Sequence, residues 1–283
     1  MLPSFPVMRI RIAHSPDADD AFMFHALATG RIDTGPYAVE IETGDIDTLN
    51  RRASSGDYEI TALSFAAWAR LHPIYRLMAT GASFGKGYGP VLVAREQQSL
   101  KEIAGAEVAV PGEGTTAALV LRLAVPSVKT RVVPFESIAD EVLSGRCGAG
   151  VIIHEGQLTY AEQGLTRILD LGAWWHEQEQ LPLPLGGNAV KRDLPLEVQR
   201  DCARIVRESV AYGMSRRTEA VAYARGFSRG VTEEQADRFV SMYVNDLTLD
   251  CGEEGRRAVA RLMERGHAEG HLPPSPAPDF VEA

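Results

Sequence analysis

Residues 8–15 alternate. Met8, Ile10 and Ile12 face one way and Arg9 and Arg11 the other, a period of two that predicts a strand. The chain then turns through Ser15-Pro16-Asp17-Ala18-Asp19-Asp20 into the apolar run Ala21-Phe22-Met23-Phe24-His25-Ala26-Leu27. Ser15 as cap, Pro16 in the first turn and acids against the positive end of the dipole predict a helix, stopped by Gly30. Val39 and Ile41 set between acids predict a second strand over 37–43, and 45–54 a helix ended by Gly56. A third strand follows over 58–63, with a helix opening at Ser64. Strands alternating with helices predict a mostly parallel sheet.

Gly81, Gly85, Gly87 and Gly89 break this rhythm, and 85–89 reads as a loop before a strand over 90–95. The spacing is not that of a dinucleotide fingerprint, and the apolar run Val91-Leu92-Val93-Ala94 stands where a helix would have to begin. A second α/β unit follows over 99–187, with strands at 107–110, 129–134, 147–153 and 166–171. Helices are expected at 117–124 and 135–143, and a helix or irregular stretch at 159–164. Leu181-Pro182-Leu183-Pro184-Leu185-Gly186-Gly187 reads as an extended segment re-entering the first unit. From Pro195 the pattern is helical, with Val198, Cys202, Ile205, Val206, Val210 and Met214 on one stripe. Further helices are expected at 218–225, 232–243 and 252–265, before a Pro-rich tail.

The fold class this predicts is α/β, with two lobes of mostly parallel sheet joined by two crossovers. Lobe one takes residues 1–92 and 188–283, lobe two is the insert 93–187, and a ligand cleft lies between them.

Composition narrows the partners. The chain of 283 residues carries a net charge of −9 and no basic run, which argues against nucleic acid. No stretch nears the ~20 apolar residues of a membrane span, and the first residues lack the apolar core of a secretory signal. Three scattered cysteines without a CxxC suggest neither a zinc site nor a disulfide framework, and fit a reducing cytoplasm. The expected partner is a small molecule.

Candidate chemistry gathers at strand ends. His154 follows the apolar run 149–153, where a strand of an open α/β sheet meets its loop and ligands bind. It reads as a lone general base or as a hydrogen-bonded strand-end histidine. Its neighbour Glu155 either orients the imidazole or faces solvent. Pro111 to Thr116 is a strand–Gly loop–helix anion site, with the Thr115 and Thr116 hydroxyls at the helix start, or an ordinary capped helix. Ser15 and Ser64 lie at matching transitions and serve as ligand contacts or caps. Asp17, Asp19 and Asp20 could meet a metal or polar hydroxyls, and without a partner His or Glu at ligand spacing no metal is expected. Lys86 is an anion partner or a solvated lysine, and the HxxxH of His267 and His271 is discounted.

Together these motifs resemble a known family. The matching pieces are Ser15-Pro16 with Asp19-Asp20, Leu63-Ser64 with Ala66-Ala67, Gly85-Lys86-Gly87 with Gly89-Pro90, and Pro111-Gly112 with Thr115-Thr116. Ile152-Ile153-His154-Glu155, Leu171-Gly172-Ala173-Trp174-Trp175, Leu181-Pro182-Leu183-Pro184-Leu185-Gly186 and Gly252-Glu253-Glu254-Gly255 follow in order. The chain resembles the 1,4-dihydroxy-6-naphthoate synthases, menaquinone-biosynthesis enzymes of the futalosine pathway. That resemblance implies a fold like type 2 periplasmic binding proteins and a reaction needing no metal or organic cofactor. It implies a lyase acting on cyclic dehypoxanthinyl futalosine, with His154 as base. Substrate oxygens would then meet Ser64, Thr115 and Thr116, with Ser15, Asp20 and Gly89 beside them. The family often shows Ser-Pro-Cys-Pro-Asn-Asp where this chain has Ser15-Pro16-Asp17-Ala18-Asp19-Asp20, an added acid that bears on ligand charge. A solute receptor of the same fold and the sister chorismate dehydratase are the alternatives.

Overall fold

The computed structural model describes residues 8–228 and 231–283. The N-terminal stretch read for a secretory signal therefore falls mostly outside the described residues, as does the pair 229–230.

The chain opens with β1 (Met8–His14), α1 (Ala18–Ala28), β2 (Tyr37–Thr43), α2 (Ile46–Ala53), β3 (Ile60–Ser64) and α3 (Phe65–Leu71). It crosses over through β4 (Tyr75–Gly85) and β5 (Val91–Ala94). The second unit holds α4 (Leu100–Gly105), β6 (Glu107–Val110), α5 (Thr116–Ala124), β7 (Lys129–Val132), α6 (Ile138–Leu143) and β8 (Ala149–Ile152). It ends in α7 (Gly156–Thr159), β9 (Thr166–Asp170) and α8 (Leu171–Glu179). The return strand is β10 (Leu183–Lys191), followed by α9 (Leu196–Ser215), α10 (Arg217–Ala224), α11 (Glu233–Tyr243), α12 (Asp246–Leu249), α13 (Gly252–Ala268) and β11 (Phe280–Val281).

Two sheets result, in the orders β11-β4-β10-β3-β1-β2 and β7-β6-β8-β5-β9. The βαβ pairs β1–β2, β1–β3, β6–β7 and β6–β8 are parallel, while the crossing strands pair antiparallel. The two crossings run side by side, with Leu183 opposite Gly85 and Lys191 opposite Tyr75.

Four features of the fold either differ from the sequence reading or go unassigned in it, each for a physical reason. β4 passes through Gly81 as a strand, because it is covered on both faces and shows no alternation to read. Gly81 has φ +75°, and a Cβ there would lie 2.5 Å from Asn188 Nδ2, the group that donates to the Gly81 carbonyl at 2.8 Å. The Trp174–Trp175 stretch is helical in α8, because Asp170 accepts from the Gly172 and Ala173 N–H groups and caps it. Asp17, not Ser15, caps α1. The tail ends in β11, which adds to β4 and is tied down by Asp279 between Arg76 and Arg192.

Burial explains the order of layers. α1 is covered along its length, from Ala18 to Leu27. It packs among α9, α10 and α11 over the first sheet. A second cluster runs from Trp68 on α3 through Leu183 on β10 to Leu92, Val151 and Trp175 on the second sheet's side. The two sheets are thus joined by continuous apolar packing beside the crossing strands, with the cavity beyond it. Among the described residues no helix is long and apolar enough to cross a membrane.

Candidate active site

The cleft encloses about 700 Å³, open mouth included. Ser15, Asp20, Ser64, Thr115, Thr116 and His154 all line it. Gly89 does not. A Cβ on Gly89 would lie 3.0 Å from Gly172, so its glycine serves backbone packing at the crossover, not ligand contact. Lys86 is exposed and away from the cavity. His267 closes off the end of α13, facing the Leu272 carbonyl at 3.2 Å.

His154 stands in the turn after β8 with φ +53°, a left-handed backbone that non-glycine residues seldom adopt. Its Nδ1 lies 2.6 Å from Asp17 Oδ2, and its ring meets Phe135 edge-on at 4.7 Å. Nε2 is buried and has no protein partner among the described residues. With Nδ1–H donated to the carboxylate, Nε2 carries the free lone pair. Burial lowers the affinity of this imidazole for a proton, but the adjacent Asp17 charge outweighs it and raises the pKa.

The expectation of a lone imidazole is therefore corrected, since His154 has a carboxylate partner. Ser15 Oγ donates to the same Asp17 oxygen at 2.8 Å, while Asp17 Oδ1 accepts from the Asp20 N–H at 3.3 Å. Burial raises the Asp17 pKa and the His154 charge more than reverses this, so Asp17 stays ionised well below the ordinary carboxylate range. Glu155 does not face solvent, and it makes no direct bond to the imidazole. It is buried, and its Oε1 accepts from the Ala18 N–H at 3.0 Å and from Ser228 Oγ.

The other two acids behave oppositely. Burial and then the Asp17 charge push the Asp20 carboxyl up to about 8. Burial, Asp17 and Asp20 together raise Asp19 well above its usual range. Asp20 Oδ2 accepts from the Ser15 N–H at 2.8 Å, and Asp19 Oδ2 from Ser83 Oγ at 2.8 Å. The three acids offer oxygens within 4.8 Å of one another. Burial and the neighbouring charges thus oppose ionisation of Asp19 and Asp20 while Asp17 stays charged.

Across the cavity the threonines differ from expectation. Thr115 Oγ1 caps α5 at the Ala118 N–H and donates to the Gly112 carbonyl at 2.7 Å. Thr116 Oγ1 donates to the Leu185 carbonyl at 2.6 Å and accepts from the Ala66 N–H at 3.2 Å. Both hydroxyl protons are committed to backbone, so the first-turn N–H groups of α5 are the donors left for an anion. Ser64 does not act as a side-chain cap. Asn50 Nδ2 donates to Ser64 Oγ at 3.0 Å, leaving the hydroxyl proton for the cavity. Among the described residues no lysine or arginine lines the cleft.

Residues 10–268 match a family model described as menaquinone biosynthesis. The chain belongs to this menaquinone-biosynthesis family. It is 41% identical to a Thermus thermophilus protein named 1,4-dihydroxy-6-naphtoate synthase, over 96% of this chain and 99% of the relative. A Streptomyces coelicolor protein of the same name is 34% identical, over 96% and 97%. A crystal structure of an Archaeoglobus fulgidus protein is 48% identical, with a TM-score of 0.90 over 93% of this chain and 98% of that one. The alkanesulfonate-binding protein of Xanthomonas axonopodis pv. citri, at 11% identity and a TM-score of 0.72 over 98% and 99%, shows the fold alone. The architecture is that of the periplasmic-binding-protein-like folds. Members of this menaquinone-biosynthesis family include the two named synthases, and the chain is an enzyme of that biosynthesis.

Asp17, Asn50, Ser83 and Gln157 were not legible as parts of one site. Asp17 and His154 stand 137 positions apart on different sheets, so no spacing could pair them.

Proposed function

We propose that this chain is a lyase that converts cyclic dehypoxanthinyl futalosine to 1,4-dihydroxy-6-naphthoate, with His154 as the base. The observation that carries the reading is the buried Nε2 of His154, unpartnered by protein and facing the cavity while Nδ1 is held by Asp17. The Nε2 lone pair removes a proton from the hydroxyl-bearing part of the substrate. That hydroxyl's carbon becomes a carbonyl as the adjoining carbon–carbon bond breaks, releasing the sugar-derived three-carbon piece, while the bond's electron pair passes into the ring system, which takes back a proton. The remaining ring system gains aromaticity, which drives the step without an external oxidant.

Substrate binding follows from the polarity of the cleft. The carboxylate lies toward Ser64 and the α5 start, where neutral donors and the helix dipole meet it. Hydroxyls lie toward Ser15, Asp19 and Asp20, whose side-chain oxygens offer them hydrogen-bond partners. With no lysine or arginine among the described lining residues, the cleft binds the carboxylate without clamping it, which suits turnover.

Replacing a general base costs 10²–10⁴-fold in rate. His154→Ala is expected to lose about that much turnover of the cyclic substrate, read by mass spectrometry of the naphthoate product, and unchanged turnover rejects the role. A solute receptor of this fold would return its ligand unchanged, and a chorismate dehydratase would consume chorismate instead. The same assay separates both from the proposed reaction.

A further inference from the structure

The site contains a contact that the proposed chemistry does not use. Asp17 and Ala18, the cap and first residue of α1 after β1, bond to His154 and Glu155, adjacent in the turn after β8. One bond runs from the imidazole to the Asp17 carboxylate, at 2.6 Å. The other runs the opposite way, from the Ala18 N–H to Glu155 Oε1, at 3.0 Å. β1 belongs to the first sheet and β8 to the second. Two consecutive residues from one side of the cleft thus lock onto two consecutive residues from the other. Two bonds fix the turn in both position and rotation, which one bond cannot do.

Three further observations support this. Ser228, just before α11, also donates to Glu155, so that carboxylate gathers two donors from the first sheet's side. Tyr243 on α11 donates to Gln157 Oε1 at 2.6 Å, a fourth bond across the same gap. The turn they hold carries the left-handed backbone of His154, a conformation that needs its surroundings to keep it.

We propose that Glu155 is a positioning residue, which with Ala18 forms the second point of a clasp that seats His154 on Asp17 when the cleft closes. The base is then complete only around bound substrate. In an open cleft His154 has lost its carboxylate partner, and Asp17 keeps only partners from its own side of the cleft, the Ser15 hydroxyl and the Asp20 N–H. The clasp thereby links hinge closure to assembly of the base. This inference rests on the proposed role of His154.

Imidazole ¹⁵N and ¹H spectra of the full chain, recorded with 1,4-dihydroxy-6-naphthoate present, read the Asp17–His154 bond without turnover. Glu155→Ala is expected to lose the hydrogen-bonded His154 Nδ1–H signal, and Glu155→Gln, which keeps an acceptor for Ala18, to retain it. In kinetics, Glu155→Ala is expected to lower kcat/KM about 10–100-fold, as a misplaced catalytic group does. Combined with Asp17→Asn it is expected to add less than about threefold to the worse single change, because both act through one imidazole. If Glu155→Ala does not fold, Ala18→Pro removes the same N–H at the first helical position, where proline is tolerated. It is expected to give the same spectral and kinetic signature. An unchanged His154 signal, or losses that multiply in the double variant, overturn the clasp. Absence of product from the unaltered protein would instead reject the proposed reaction, and the spectra would still decide the clasp.

Discussion

Asp20→Asn is expected to stabilise the protein, and increasingly so as pH rises. The carboxyl of Asp20 is buried beside the Asp17 charge and held at about 8, against an ordinary 3.8. Between those two values the folded chain keeps a proton that the unfolded chain has released. The folded state then binds more protons, so stability falls with pH by about 1.4 kcal/mol per unit. Relative to this group, stability is full below about pH 4 and is lost progressively until pH passes about 8, a total near 6 kcal/mol. Asparagine keeps an oxygen for the Ser15 N–H, supplies an N–H where the acid has its O–H, and has no charge to desolvate. Urea unfolding at pH 5, 6.5 and 8 measures the difference. The Asn variant is expected to gain about 1.5 kcal/mol at pH 5 and about 5 kcal/mol at pH 8. Asp17 and His154 titrate in both proteins, so their contributions largely cancel in the comparison. A gap under about 1 kcal/mol at pH 8, or one that does not grow with pH, would refute the argument that this carboxyl is kept protonated by burial and Asp17. The same change is expected to cost activity, a common exchange at functional sites.

Asp17→Asn keeps an acceptor for His154 but removes the charge that raises its pKa, so the acid limb of the kcat/KM profile is expected to move to lower pH, with kcat down about 10–100-fold. A limb that stays in place would show that Asp17 does not set the basicity of the base. Gly172→Ala would put a Cβ 1.9 Å from the Tyr88 carbonyl, so it is expected to destabilise by about 3 kcal/mol or more, read as a fall in Tm. A variant that melts with the unaltered chain would mean that the crossover backbones separate freely.

Much of the fold was legible because short elements carried their own signals. β2 and β6 coincide with the expected 37–43 and 107–110, since turn residues and β-branched runs bounded them. β4 was hidden, because a strand covered on both faces and carrying two glycines shows neither alternation nor high strand propensity. β11 was hidden by its shortness and by the prolines before it, and is held by Asp279 from outside the strand. Within the site, His154, Ser64, Thr115 and Thr116 were placed by strand-to-helix transitions, which are local. What those groups bond to was not local. Thr116 spends its hydroxyl on Leu185, Glu155 turns to Ala18, and Asp17 meets His154 across the cleft. Gly89 was read as a ligand contact because a glycine that admits a neighbouring backbone looks the same in sequence as one that admits a ligand.

The left-handed backbone of His154 sets stability against chemistry at a single position. Glycine would adopt that conformation freely, whereas a side chain there costs of order 1–3 kcal/mol. Any screen that rewards heat resistance alone therefore pulls position 154 toward glycine and away from the base. A consensus or thermostabilising redesign of this enzyme has to exempt that residue by hand. The same relief marks His154→Gly, not His154→Ala, as the background in which added imidazole has both a vacated slot and a relaxed turn to enter.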